Sequence, residues 1–101
     1  MGSNHVTVTD VYNQRIDKDQ AVIHFSVNEQ RYTMIVNLDE DSGVFLPDRV
    51  FHRTDRYCSF CDESEGTYFN CEWFFDHLDE WFHRLIEYPR IRLEWLYLPI
   101  A

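Results

Sequence analysis

The chain has 101 residues, 45 % of them apolar and 17 % aromatic, which supplies large side chains for one core and leaves too little chain for a second. Eighteen Asp and Glu against nine Lys and Arg give a formal charge of −9, a field that repels phosphate backbones and anionic lipid. Direct nucleic-acid binding is therefore disfavoured, and a cationic protein partner is favoured. No run approaches the ~18 apolar residues of a membrane span, and three cysteines, an odd number, suit a reducing compartment. A cytoplasmic protein with no membrane contact is expected, folded as one α+β domain over residues 1–101, with residues 1–4 tag-derived or disordered.

Residues 5 to 38 read as three strands, because apolar and polar positions alternate and β-branched residues are dense. The first runs from His5 to Tyr12 and carries Val6 and Val8. In the second, Ala21, Ile23, Phe25 and Val27 share one face, with Val22, His24, Ser26 and Asn28 on the other. In the third, Tyr32, Met34, Val36 and Leu38 oppose Thr33, Ile35 and Asn37. The polar connections, Gln14 to Asp19 and Asn28-Glu29-Gln30, are short enough for an antiparallel meander. Asp39 to Gly43 reads as a turn, and Val44-Phe45-Leu46 as a short extended piece that Pro47 ends.

From Asp48 to Gly66 no period is evident, which predicts a long loop with a short strand near 67–69. A helix is predicted from Cys71 to Glu87, capped by Asn70, with Phe74, Leu78, Trp81 and Leu85 as its stripe. Phe75, Phe82 and Ile86 widen that stripe, while Trp73 and His77 fall at its border. Tyr88-Pro89 stops the helix. Arg90 to Leu98 alternates again and predicts a last strand that rejoins the sheet. The expected fold is a two-layer sandwich, β-β-β-(β)-α-β, with a mostly antiparallel sheet of four to five strands and one amphipathic helix on one face.

Two constellations bear on function. Cys58 and Cys61 have C-x-x-C spacing, half of a zinc site that Cys71 and a histidine would complete. Cys71 and His77 point about 240° apart around a helix, which opposes their sharing one ion or acting as a nucleophile and base. The carboxylates of Asp62, Glu63 and Glu65 disfavour a redox-active thiolate. Glycine loops for phosphate, G-x-S-x-G and H-E-x-x-H are absent from the sequence, so no catalytic motif supports an enzyme.

The second constellation is charge segregation. Between Tyr57 and His83 there is no Lys or Arg, while Asp62, Glu63, Glu65, Glu72, Asp76, Asp79 and Glu80 supply seven negative charges. With Trp73 beside them, these residues predict a surface that steers a basic protein partner. The function expected is that of a small acidic non-catalytic interaction protein, akin in composition to inhibitors, immunity proteins and nucleic-acid mimics of mobile elements. The alternatives are a zinc-stabilised domain using Cys58, Cys61 and Cys71, a small-ligand pocket between helix and sheet with His24 or His77 as its polar group, and an aromatic patch that pairs two copies as a homodimer.

Overall fold

The computed structural model describes residues 7–53 and 71–96. Among these residues four strands form one antiparallel sheet in the order of the chain: β1 (Val8–Arg15), β2 (Gln20–Val27), β3 (Gln30–Asp39) and β4 (Val44–His52). The central pair is in continuous register, from Gln20↔Asn37 to Val27↔Gln30. Period two along β2 and β3 places Ala21, Ile23, Phe25 and Val27 beside Tyr32, Met34 and Val36 on one face, and all of them are buried. The β2–β3 turn is the two-residue type, with Asn28 and Glu29 both left-handed at φ 51° and 69°, the geometry whose twist matches the strands it joins.

Both edge strands carry a bulge. In β1, Thr9 pairs with Ser26 and Tyr12 with His24, so three steps on β1 face two on β2. Asp10, at φ 54°, absorbs the difference. The core face consequently passes from Val8 to Val11 and Asn13. In β4, Val36 pairs with Pro47 and Ile35 with Arg49, leaving Asp48 extra. The inward positions shift from Phe45 to Val50 and His52. Pro47 therefore does not end the strand: among the described residues β4 is an edge, where a missing ladder donor at a bulge is tolerated. The first five residues of the expected long loop, 48–52, belong to this strand.

The expected single helix is two. Helix α1 (Glu72–Asp76) and helix α2 (Leu78–Leu85) meet at His77, whose backbone leaves helical geometry at φ −118° and ψ 28°. The His77 imidazole donates from Nδ1 to the Trp73 carbonyl at 2.7 Å, the acceptor its own backbone N–H would use in a continuous helix. That N–H turns instead to Phe74 O at 3.1 Å. His83 makes the same i−4 bond to Asp79 without a break, and what His77 adds is a stacked contact with the Trp73 ring at 4.2 Å. The cap position of α1 is Cys71, whose side chain makes no capping bond and whose N–H pairs with Val50 O at 2.9 Å. Asn70, expected as the cap, and the strand expected near 67–69 lie outside the described residues.

Phe74 of α1 and Trp81 and Phe82 of α2 pack on the core side of the sheet. Phe74 meets Tyr32 at 4.7 Å and Phe25 at 5.5 Å between ring centroids, and Trp81 meets Phe74 at 5.1 Å edge-on. Phe82 and Leu85 complete the buried side of α2.

The expected last strand is absent among the described residues. The segment after α2 makes a 3₁₀ turn at Leu93–Trp95 and buries Ile91 and Leu96 while leaving Leu93 exposed, a spacing that no strand produces. Backbone groups of Arg92 pair with the buried side chain of Asn13, N–H to Oδ1 at 2.8 Å and O from Nδ2 at 3.0 Å. Leu96 O accepts from Phe45 N at 2.9 Å. The segment thus ties β1 to β4 across the ends of the core, and these bonds go to one side chain and one strand amide, not to a ladder.

Candidate functional site

The break at His77 shapes a concavity of about 350 Å³, lined by Phe75, Asp76, His77, Leu78, Asp79 and Glu80. Local chemistry accounts for the acids around it. Asp79 and Glu80 sit in the first turn of α2, where carboxylates face the positive end of the helix dipole, and His83 and Arg84 occupy its last turn, where cations are favourable. Glu72 opens α1 in the same way, and Asp76 lies one turn on. Glu72, Asp76, Asp79 and Glu80 are all exposed.

Trp73 is less available than its position in the sequence implies. It is half-buried, stacked on His77 and edge-on to Phe74 at 5.1 Å and Trp81 at 6.3 Å. Phe75, expected to widen the buried stripe, is instead 57 % exposed and forms one wall of the concavity. Its contact with solvent follows from the short first helix: Phe74 takes the inward direction, and the next residue is rotated about 100° away. Phase within the 74-75 pair is the signal that distinguishes them.

Asp62, Glu63 and Glu65 lie outside the described residues, as do Cys58 and Cys61. Cys71 is fully buried in the core at the start of α1. Among the described residues no group of three His, Cys, Asp or Glu side chains is placed to hold a metal ion. No helix among them is long and apolar enough to cross a membrane. His77 and His24, the polar groups expected in a pocket between helix and sheet, are separated by the sheet itself: His24 occupies the outward phase of β2, opposite the face that Phe74 and Trp81 cover.

That outward face carries a second concavity of about 310 Å³, lined by Asp10, Tyr12, His24, Phe25, Ser26, Arg31, Arg53 and Arg90. Sequence reasoning missed it, because Arg31, Arg53 and Arg90 are distant in the chain: the pairing of β3 with β4 brings the first two together, and Arg90 joins them from the segment after α2. His24 is held by Thr33 Oγ1 at 3.0 Å, by Arg53 Nη1 at 3.3 Å and by Gln14 Oε1 at 3.3 Å. Burial, and secondarily the Arg53 charge, push its pKa below the ordinary value of 6.5.

No protein-family model, curated protein or solved structure matches the chain.

Proposed function

We propose that the chain is a non-catalytic interaction protein, a two-layer α+β sandwich whose helical layer presents an acidic surface to a basic protein partner. The observation that carries this reading is the concavity at the helix break, where Asp76, Asp79 and Glu80 surround the exposed Phe75. An aromatic anchor ringed by charge of one sign is the arrangement that gives a protein interface both a buried hot spot and electrostatic steering. Glu72 extends the acidic surface along α1, and Asp62, Glu63 and Glu65 extend the run of negative charge in the chain. Regulation or blockade of the partner's cationic surface follows from such binding, as an inhibitor, immunity protein or nucleic-acid mimic would achieve it.

Affinity capture with the full chain and with the triple variant Asp76→Lys, Asp79→Lys, Glu80→Lys tests the reading. The wild-type chain retains proteins of high isoelectric point, and their retention falls steeply as ionic strength rises through about 0.1–0.3 M. The triple variant loses them while still folding cooperatively, its thermal midpoint lowered by roughly 5–10 °C because lysines at 79 and 80 oppose the helix dipole. Retention of the same partners by the reversed variant, or retention only of acidic proteins, rules the reading out.

A further inference from the structure

We propose that the outer face of the sheet holds a binding site for a compact phosphorylated small molecule, its phosphate gripped by Arg31, Arg53 and Arg90 in the concavity beside Tyr12 and His24. This site lies on the opposite side of the sheet from the acidic groove and does not rest on the reading given for that groove.

The first argument is electrostatic. The chain holds twice as many acidic as basic residues, so a carboxylate partner for any arginine is easily supplied. Yet among the described residues the single ion pair is Arg49 with Asp48, at 3.1 Å. Among the described residues no carboxylate lies within 4.0 Å of Arg31, Arg53 or Arg90, and Asp10 is the only described acid that lines the concavity. Three guanidiniums brought to one place against one described carboxylate repel one another, and a bound anion reverses the sign of that interaction.

The second argument is the way each arginine is held. Arg31 reaches the site from β3, on the outward phase beside Tyr32. Arg53 follows β4 directly and is fixed at its backbone by an N–H bond to Arg31 O at 2.8 Å and at its side chain by His24 Nδ1. Arg90 lies over the Tyr12 ring, 5.5 Å from its centroid, and the Tyr12 ring in turn packs against His24 at 5.0 Å. The aromatic ring is thus occupied in positioning an arginine and a histidine. Neither the Arg53 contact nor the Arg90 contact uses up the guanidinium, which carries five N–H donors in a planar fork.

The third argument selects the ligand. A single carboxylate is satisfied by one arginine fork, whereas a phosphate monoester offers three terminal oxygens and a charge of about −1.5 to −2, which matches three forks. Ser26, also lining the concavity, adds a hydroxyl. At about 310 Å³ the space falls at the small end of ligand sites, enough for a phosphate and a small organic group. A nucleic-acid strand would have to lead its remaining phosphates over a molecule of charge −9, which disfavours it.

The test is a nuclear magnetic resonance titration of the full chain with O-phosphoserine and, separately, with inorganic phosphate, at about 0.15 M salt to screen non-specific contacts. The expected result is saturable shifts of the Arg31, Arg53 and Arg90 side-chain N–H signals and of the His24 ring, with Arg49 and Arg84 unmoved and a Kd below about 1 mM. Arg31→Ala and Arg90→Ala, both at exposed residues, each weaken binding by about tenfold or more at an unchanged thermal midpoint. If O-phosphoserine binds more tightly, the ligand is a phosphate ester. If inorganic phosphate binds more tightly, it is the free anion, and either order upholds the site. Shifts that grow linearly and equally at Arg49 and Arg84, or alanine variants that bind like the wild type, overturn it. Preferential binding of a single-stranded oligonucleotide at the same arginines overturns the assignment to a small molecule.

Discussion

Arg53 donates from Nη1 to Nδ1 of His24 at 3.3 Å, and since a guanidinium cannot accept, this contact fixes the histidine as neutral with its proton on Nε2. The same tautomer lets Thr33 Oγ1–H donate to Nδ1 at 3.0 Å and Nε2–H donate to Gln14 Oε1 at 3.3 Å. One imidazole on β2 thereby touches β1, β3 and the residue that follows β4. Protonation would break the Arg53 contact and set two cations 3.3 Å apart, while the Thr33 hydroxyl would turn to accept from Nδ1–H.

The His24 ring is accordingly expected to titrate below 6.5 in the folded protein. A folded pKa below the unfolded one means that the unfolded chain binds the proton more readily, so the contribution to stability is complete above 6.5 and is lost as pH falls from there through the folded value. Chemical denaturation at a series of pH values, on the wild-type chain and on His24→Gln, checks the sign: the wild type loses stability relative to the variant as the solution is acidified. Because burial is the larger cause and Arg53 the smaller, Arg53→Ala recovers only the lesser part of the shift. Recovery of the whole shift would contradict the ordering.

The turns give a pair of predictions of opposite sign. Glu29 holds φ 69° in the second position of its two-residue turn, where glycine is the favoured residue. Glu29→Gly is expected to stabilise the fold by a few tenths to about 1 kcal/mol, left-handed strain relieved outweighing the entropy glycine adds to the unfolded chain. Gly43 stands at φ 74° with open space where a Cβ would go. Gly43→Ala therefore meets no clash and costs only the backbone conformation, about 1 kcal/mol. Urea midpoints of the two variants, moving apart about the wild-type value, check both.

The centre of the sheet was legible because β2 and β3 keep strict period two over their full lengths, with buried Ala21, Ile23, Phe25 and Val27 set against Tyr32, Met34 and Val36. The edges were not, and for one physical reason. The bulges at Asp10 and Asp48 reverse the inward phase partway along β1 and β4, so alternation fails in the sequence although the strand continues. A period reading therefore stops β1 at Tyr12 and β4 before Pro47. The helical stripe was correctly phased at Phe74, Trp81 and Leu85, but the break depends on the contest between one imidazole and one amide for the Trp73 carbonyl, which leaves no periodic trace. Alternation misled over 91–96, where Ile91, Leu93 and Trp95 mimic a strand and the buried residues are Ile91 and Leu96.

Of the acidic surface, the exposed positions Glu72, Asp76, Asp79 and Glu80 follow from helical phase, and phase is local. The arginine cluster is not local. Arg31 and Arg53 become neighbours only when β3 and β4 pair, and Arg90 joins them from beyond α2. Recognising Arg31 as outward-facing was open to the sequence, since it adjoins the inward Tyr32. Placing Arg53 beside it required β4 to extend past Pro47.

Asn13 carries a prediction about how the C-terminal segment is held. Its side chain is 4 % exposed and satisfies both backbone groups of Arg92, acting as a one-residue substitute for a paired strand. Asn13→Ala removes both bonds from a site that excludes most water and is expected to cost about 1–3 kcal/mol. Hydrogen exchange provides the specific readout. The Arg92 amide should lose protection along with Phe45 N–H, whose acceptor is Leu96 O, while the β2–β3 amides keep theirs down to the global limit. Uniform loss across the sheet would mean that Asn13 supports the core generally and not this segment in particular.

Phe74 and Phe75 are adjacent in the chain and separate stability from binding. Phe74 is wholly buried among Phe25, Tyr32 and Trp81, and truncating it leaves a cavity between the helices and the sheet. Phe74→Ala is expected to destabilise by about 3–5 kcal/mol. Phe75→Ala removes a ring that is 57 % exposed, and its denaturation midpoint should shift by no more than about 0.5 kcal/mol of equivalent stability. If the groove at the helix break is the partner-binding surface, the Phe75 variant, intact in fold, retains a basic partner at least tenfold less well, a loss of about 1.4 kcal/mol. A Phe75→Ala chain that folds and binds like the wild type would remove the anchor from the proposed interface, and the acidic residues alone would then have to account for any partner it retains.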